Sequence, residues 1–236
     1  MSGPSIDRLL IELERAPRWE VARFDAGHPF SGRVAVLPSA FNPPTVAHLE
    51  LLALARNVPG VVSTAAMLST RNVDKGLHGA SLPHRIGMLL AVAERGEHHA
   101  VLGANAARIA DQGEALRRRY PGVPFDFVAG FDTLVRLFDP RYYENMAAEL
   151  AGFFAHHRVI ATNRGEAHTG TVRDFIESTP AARDYRERVL VHSLAEHPAS
   201  LSSTQAREAA ARGKEHPAVP AEVAEYIRRH RLYRDR

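Results

Sequence analysis

Thr45 and His48 open an apolar helical repeat that follows directly on Phe41-Asn42-Pro43-Pro44. Thr45 suits the N-cap, which puts His48 in the first turn. A helix start offers unpaired N–H groups and the positive end of the macrodipole, so this spacing outlines an anion site that fits a phosphate. Ser202, Ser203 and Thr204 precede a second helical repeat, with Arg207 one turn in. Ser202 with Gln205 also reads as a capping box, which is a structural device. Lys75, one of two lysines, lies in a polar loop. Gly130-Phe131-Asp132-Thr133 closes an apolar run, and Asp132 there also suits the first turn of a helix.

These groups must be held by a frame, and the frame is legible. Val34, Val36 and Leu37 form a short buried strand, while Pro43 and Pro44 prevent the chain from running on as ladder or helix. Further strands are expected over 61–68, 99–102, 125–128, 159–161 and 189–192. Helical periodicity covers 5–15, the segment from 45, 82–95, 105–118, much of 131–154, 173–177, 202–211 and 221–229. Alternation of this kind predicts an α/β, Rossmann-like doubly wound parallel sheet of five or six strands, with helices on both faces and a C-terminal helical tail. Residues 1–30 read as an N-terminal helical extension whose stretch from Pro17 to Gly32 is irregular, and 31–236 as a single domain. In such a sheet ligands sit beyond the carboxyl ends of the strands. The four groups named above all fall there.

Composition narrows the function classes. A formal charge of +3, spread thinly over 236 residues, gives no basic stripe for nucleic acid. The absence of cysteine excludes disulfides, thiolate metal sites and a cysteine nucleophile. No apolar run approaches a membrane span or a signal peptide, so a cytoplasmic address is expected. His98-His99 and His156-His157 lack acidic or histidine partners at helical spacing, and no protein-held metal is expected.

Phe41-Asn42-Pro43-Pro44-Thr45-Val46-Ala47-His48 resembles the first signature of the nucleotidyltransferases that share the class I aminoacyl-tRNA synthetase core. That signature runs Gly, a small residue, Phe, Asp or Asn, Pro, a variable residue, His or Thr, two more residues and His. Leu201-Ser202-Ser203-Thr204-Gln205-Ala206-Arg207 is similar to the second, Ile-Ser-Ser-Thr-x-x-Arg. Ala80 to Leu89, through Arg85 and Met88, resembles the Arg-x-x-Met helix, and Gly130-Phe131-Asp132 the Gly-x-Asp turn. Gly213-Lys214, Val219-Pro220, Val223, Tyr226-Ile227 and Leu232-Tyr233 look like the tail of nicotinate and nicotinamide mononucleotide adenylyltransferases. The likeness spans roughly residues 33 to 236.

The resemblance implies transfer of AMP from ATP to a pyridine mononucleotide, with pyrophosphate leaving. Thr45 and His48 would hold ATP phosphate oxygens; Ser202, Ser203 and Thr204 would offer hydroxyls and N–H groups at a second helix start. Arg207 would grip the β/γ-phosphates. Ser39, Ala40, Phe41 and Asn42 would line the junction of the nucleotides, Lys75 would meet the incoming phosphate, and Gly130 and Asp132 the adenosine end. ATP would be co-substrate, with Mg2+ carried on its phosphates. The implied partners are small molecules, with no nucleic acid and no membrane; homo-oligomerisation is left open. Two alternatives stand beside this reading: another phosphate-bearing acceptor such as phosphopantetheine, and a nucleotide-binding protein without turnover. The chain departs from the pattern at three places. Pro38-Ser39-Ala40 replaces the glycine turn, Ala47 replaces the glycine before the histidine, and no tryptophan follows Gly-x-Asp. Phe131, Phe138, Tyr142 and Tyr143 are the aromatics available to stack on a pyridine ring.

Overall fold

The computed structural model describes residues 5–71, 79–95, 99–163, 169–193 and 203–234. Its centre is a seven-stranded sheet built from β1 (Val21–Arg23), β2 (Arg33–Ser39), β3 (Val61–Ser69), β4 (Ala100–Ala104), β5 (Phe125–Gly130), β6 (Arg158–Thr162) and β7 (Val189–His192). The order is β1-β4-β3-β2-β5-β6-β7. All pairings are parallel except β1 on β4.

Alternation along the strands explains the layers. Ala35, Leu37, Ala66, Leu68 and Val101 point to one face, where α2 (Val46–Arg56) and α3 (Leu82–Arg95) bury Leu51, Leu52, Ile86 and Leu89. Val34, Val36, Met67, Leu102, Phe125 and Phe127 point to the other. That face is covered by α4 (Ile109–Arg119), α5 (Phe131–Leu137), α6 (Met146–His156), α7 (Thr169–Ser178) and the short α8 (Pro180–Arg183). Central strands that are apolar on both sides must be buried on both sides. Among the described residues two helices follow β7, α9 (Ser203–Ala211) and α10 (Ala221–His230). Helix α10 packs on α3 through Val223, Tyr226, Met88 and Val92. The approach is close: a Cβ on Gly87 would collide with the Tyr226 hydroxyl oxygen.

The strand count exceeds the expected five or six because β1 lies in the stretch read as irregular. Val21-Ala22-Arg23 offers no apolar run to read, and this strand is fixed by tertiary partners. Asp25 accepts from the Val101 N–H at 2.7 Å, and Asn105 takes the Glu20 N–H while donating to Leu13 and Arg18 carbonyls. The preceding helix α1 (Ile6–Arg15) starts at Ser5, whose hydroxyl accepts from the Arg8 N–H.

One buried ionic group ties the middle of the sheet. Asp126 of β5 is fully buried and receives Arg33 of β2 at 2.7 Å and Arg158 of β6 at 2.6 Å. Three adjacent strands are stapled at their amino ends, which leaves the carboxyl ends to carry a site.

Candidate functional site

Strand β2 has neighbours β3 on one side and β5 on the other, and the chain leaves them toward opposite faces of the sheet. The crevice at such a reversal is the usual ligand position in an open α/β sheet. Ser39 ends β2 and Gly130 ends β5, so both expected groups border it.

The chain turns sharply between Ser39 and α2. Phe41 adopts a left-handed backbone with φ of 43°, an uncommon state for a bulky residue and one seen where surrounding structure over-determines it. Its ring is buried and lies 5.0 Å from that of His48. Thr45 is the N-cap, as its type predicts, and forms a reciprocal capping box with His48 at the third helical position. The Thr45 N–H donates to His48 Nδ1 at 3.0 Å, and Thr45 Oγ1 lies 2.7 Å from the same nitrogen. His48 Nε2 faces Ser39 Oγ at 3.1 Å. Thr45 and His48 are buried, while Ser39 is half-buried.

The second signature docks on this turn. Arg207 of α9 donates through one guanidinium nitrogen to the Asn42 carbonyl at 2.7 Å and through the other to Thr204 Oγ1 at 3.1 Å. Ser203 donates to the Pro43 carbonyl at 3.0 Å. His48, Thr45, Arg207, Ser203 and Thr204 therefore converge on one turn, although the signatures are distant in sequence. Lys75 and Ser202 lie outside the described residues.

Further contacts around the turn come from segments that carried the resemblance but had no site role assigned. Asn42 Oδ1 accepts from the Tyr233 hydroxyl at 2.9 Å and from the Ala80 N–H at 3.2 Å. Burial pushes the Tyr233 phenol well above its ordinary pKa, so it stays a donor. Buried Arg85 reaches the Ala80 carbonyl at 2.8 Å and the Ala40 carbonyl at 3.2 Å. The Ala218 carbonyl takes the Val46 N–H at 2.8 Å, and Thr45 O takes the His48 N–H at 2.9 Å. The start of α2 was expected to present unpaired amides. Two of them are already engaged, so fewer N–H groups stand open there.

Beyond β5, Gly130 is the N-cap of α5 and Asp132 is exposed in its first turn. The four aromatics divide clearly. Phe138 is buried and stacks on Phe154 at 5.9 Å, and Phe131 meets Phe175 edge-on at 5.7 Å. Tyr143 donates to the Leu137 carbonyl at 2.6 Å beneath the Arg108 guanidinium. Tyr142 lines an open cleft of about 530 Å³ with Arg108, Arg141 and Glu144. Among the described residues no group of three or more His, Asp or Glu could hold a metal ion, and no helix is long and apolar enough to cross a membrane.

A Schizosaccharomyces pombe protein, provisionally described as a nicotinamide mononucleotide adenylyltransferase, is 26% identical over 221 residues, covering 86% of this chain and 87% of its own. A Bordetella pertussis protein, provisionally described as a nicotinate-nucleotide adenylyltransferase, is 27% identical over 209 residues, 86% of this chain and 98% of its own. The fold matches that of the Plasmodium falciparum nicotinic acid mononucleotide adenylyltransferase. The structures of that enzyme with NaAD and with APC give TM-scores of 0.62 and 0.63 at 15% and 13% identity, each covering 86% of this chain and 97% of the other. No family model matches the chain. In sequence the chain is similar to nicotinate and nicotinamide mononucleotide adenylyltransferases, and it shares their fold. Against the signature of that family, Ser39 stands in the glycine position, and its side chain touches the signature histidine.

Proposed function

We infer that this chain transfers AMP from ATP to nicotinamide or nicotinate mononucleotide, releasing pyrophosphate and the dinucleotide. The observation that carries this reading is the docking of α9 on the first-signature turn, by Arg207 on Asn42 and Ser203 on Pro43. That docking gathers the two triphosphate-handling signatures at one strand end.

An oxygen of the acceptor's phosphate attacks the α-phosphorus of ATP. A new P–O bond forms as the bond to the β-phosphate oxygen breaks, and that oxygen keeps the electron pair as pyrophosphate departs. No covalent enzyme intermediate is required, so positioning and charge neutralisation supply the acceleration. Thr204 and Arg207 hold the β- and γ-phosphates, and His48 with Thr45 supports the α-phosphate side. Mg2+ arrives on the ATP phosphates as part of the substrate. Gly130 and Asp132 border the adenosine end. Of the four aromatics we assign Tyr142, which lines the open cleft, to meet a pyridine ring; Phe131 and Phe138 pack against Phe175 and Phe154.

The test is pyrophosphate release from ATP with nicotinamide mononucleotide, nicotinate mononucleotide and phosphopantetheine in parallel. Stoichiometric dinucleotide and pyrophosphate with a pyridine mononucleotide is the expected result. Release with phosphopantetheine alone overturns the assignment of acceptor, and ATP binding without turnover overturns the assignment of activity.

A further inference from the structure

The backbone N–H that His48 receives points to the tautomer with its proton on Nε2. Its Nδ1 receives the Thr45 backbone N–H, a donor that cannot be rotated away. A neutral imidazole accepting there carries its single proton on Nε2. Ser39 Oγ lies 3.1 Å from Nε2, so in this tautomer the ring donates to the serine. A hydroxyl that accepts from an imidazole still has its own proton to give. Among the described residues Ser39 makes no other side-chain hydrogen bond. Exposure points the same way: His48 is 2% accessible under the Phe41 ring, whereas Ser39 is partly open at the carboxyl end of β2.

We propose that Ser39 is a catalytic group of this chain, its hydroxyl donating to an ATP phosphate oxygen while His48 acts through it. The imidazole N–H polarises the Ser39 hydroxyl and fixes its rotamer, so that the outward proton meets the oxyanion. A glycine at this position leaves the histidine to reach the phosphate unaided. The serine thus extends the donor by one hydrogen bond, and His48 can remain buried. The proposal rests on the adenylyl-transfer reading above.

The test compares Ser39→Ala, Ser39→Gly, His48→Ala and the Ser39→Ala/His48→Ala double variant with the unaltered chain, using ATP and the best pyridine mononucleotide. Loss of an oxyanion donor lowers kcat by roughly 100-fold or more. Ser39→Ala is expected to show that loss with the KM for ATP nearly unchanged, and Ser39→Gly a smaller one, because glycine opens the path from His48 to the phosphate. The double variant is expected to be no worse than His48→Ala, because groups acting as a unit are not additive. Ser39 variants turning over at the unaltered rate while His48→Ala fails would show that the imidazole meets the phosphate itself, overturning the proposal. Histidine 15N spectra of the unaltered chain supply a readout independent of turnover and of variant folding. A protonated Nε2 on His48 that shifts when an ATP analogue binds agrees with the relay, and a protonated Nδ1 refutes it. Inactivity of the unaltered chain with every acceptor would instead count against the underlying function.

Discussion

Gly79→Ala tests whether the first-signature turn is held by its distant contacts. Gly79 has φ of 82°, and a Cβ there would lie 2.5 Å from Asn42 Nδ2 and 2.7 Å from Oδ1. An alanine in the left-handed region costs about 1–2 kcal/mol. The Asn42 amide cannot simply step aside, since Oδ1 holds both the Tyr233 hydroxyl and the Ala80 N–H. Displacing it forfeits two hydrogen bonds at about 1 kcal/mol each. Together these give about 3–4 kcal/mol, a fall in Tm on the order of 10 °C for a chain of this size. Thermal unfolding of Gly79→Ala, Asn42→Ala and the double variant separates the contributions. In the Asn42→Ala background the glycine substitution should cost only its backbone share, about 1–2 kcal/mol, because the clash has no partner. A Tm for Gly79→Ala within 2–3 °C of the unaltered chain, or strict additivity in the double variant, would refute the reasoning.

Other outcomes follow from single contacts. His48→Ala should lower kcat by about 2.7–4 kcal/mol of transition-state stabilisation and weaken ATP binding far less, as rapid-mixing kinetics beside calorimetric titration with ATP would show. Asp126→Ala leaves Arg33 and Arg158 facing each other across β5 and should cost about 3 kcal/mol in urea unfolding. Burial pulls the His157 pKa below its ordinary 6.5, partly offset by the Phe125 and Gly113 carbonyls. The unfolded chain therefore binds more protons below that value. This contribution is fully present above about pH 6.5 and is lost as pH falls toward the folded pKa. His157→Gln should flatten that part of the stability–pH curve, and an unchanged slope would remove His157 as its source.

Six strands and nearly every helix were legible because their apolar periods run long enough to be counted. Strand β1 was not, since Val21-Ala22-Arg23 is held by Asp25, Asn105 and its pairing with β4. The site divided in the same way. Thr45 as cap and His48 in the first turn follow from local chemistry, and the resemblance supplied Ser203, Thr204 and Arg207. That Tyr233 would anchor Asn42, or the Ala218 carbonyl quench the Val46 amide, depends on tertiary approach that no local pattern records. Composition likewise cannot tell a packed aromatic from an open one, so Phe138 and Tyr142 looked equivalent until packing separated them.

The account depends on one triphosphate lying between the turn that carries His48 and the helix that carries Arg207. A crystal structure with a non-hydrolysable ATP analogue measures this directly. Phosphate oxygens within hydrogen-bond distance of Ser39 or His48 at one end and of Thr204 and Arg207 at the other are predicted. A triphosphate bound elsewhere, with the Arg207–Asn42 and Ser39–His48 contacts undisturbed, would contradict it.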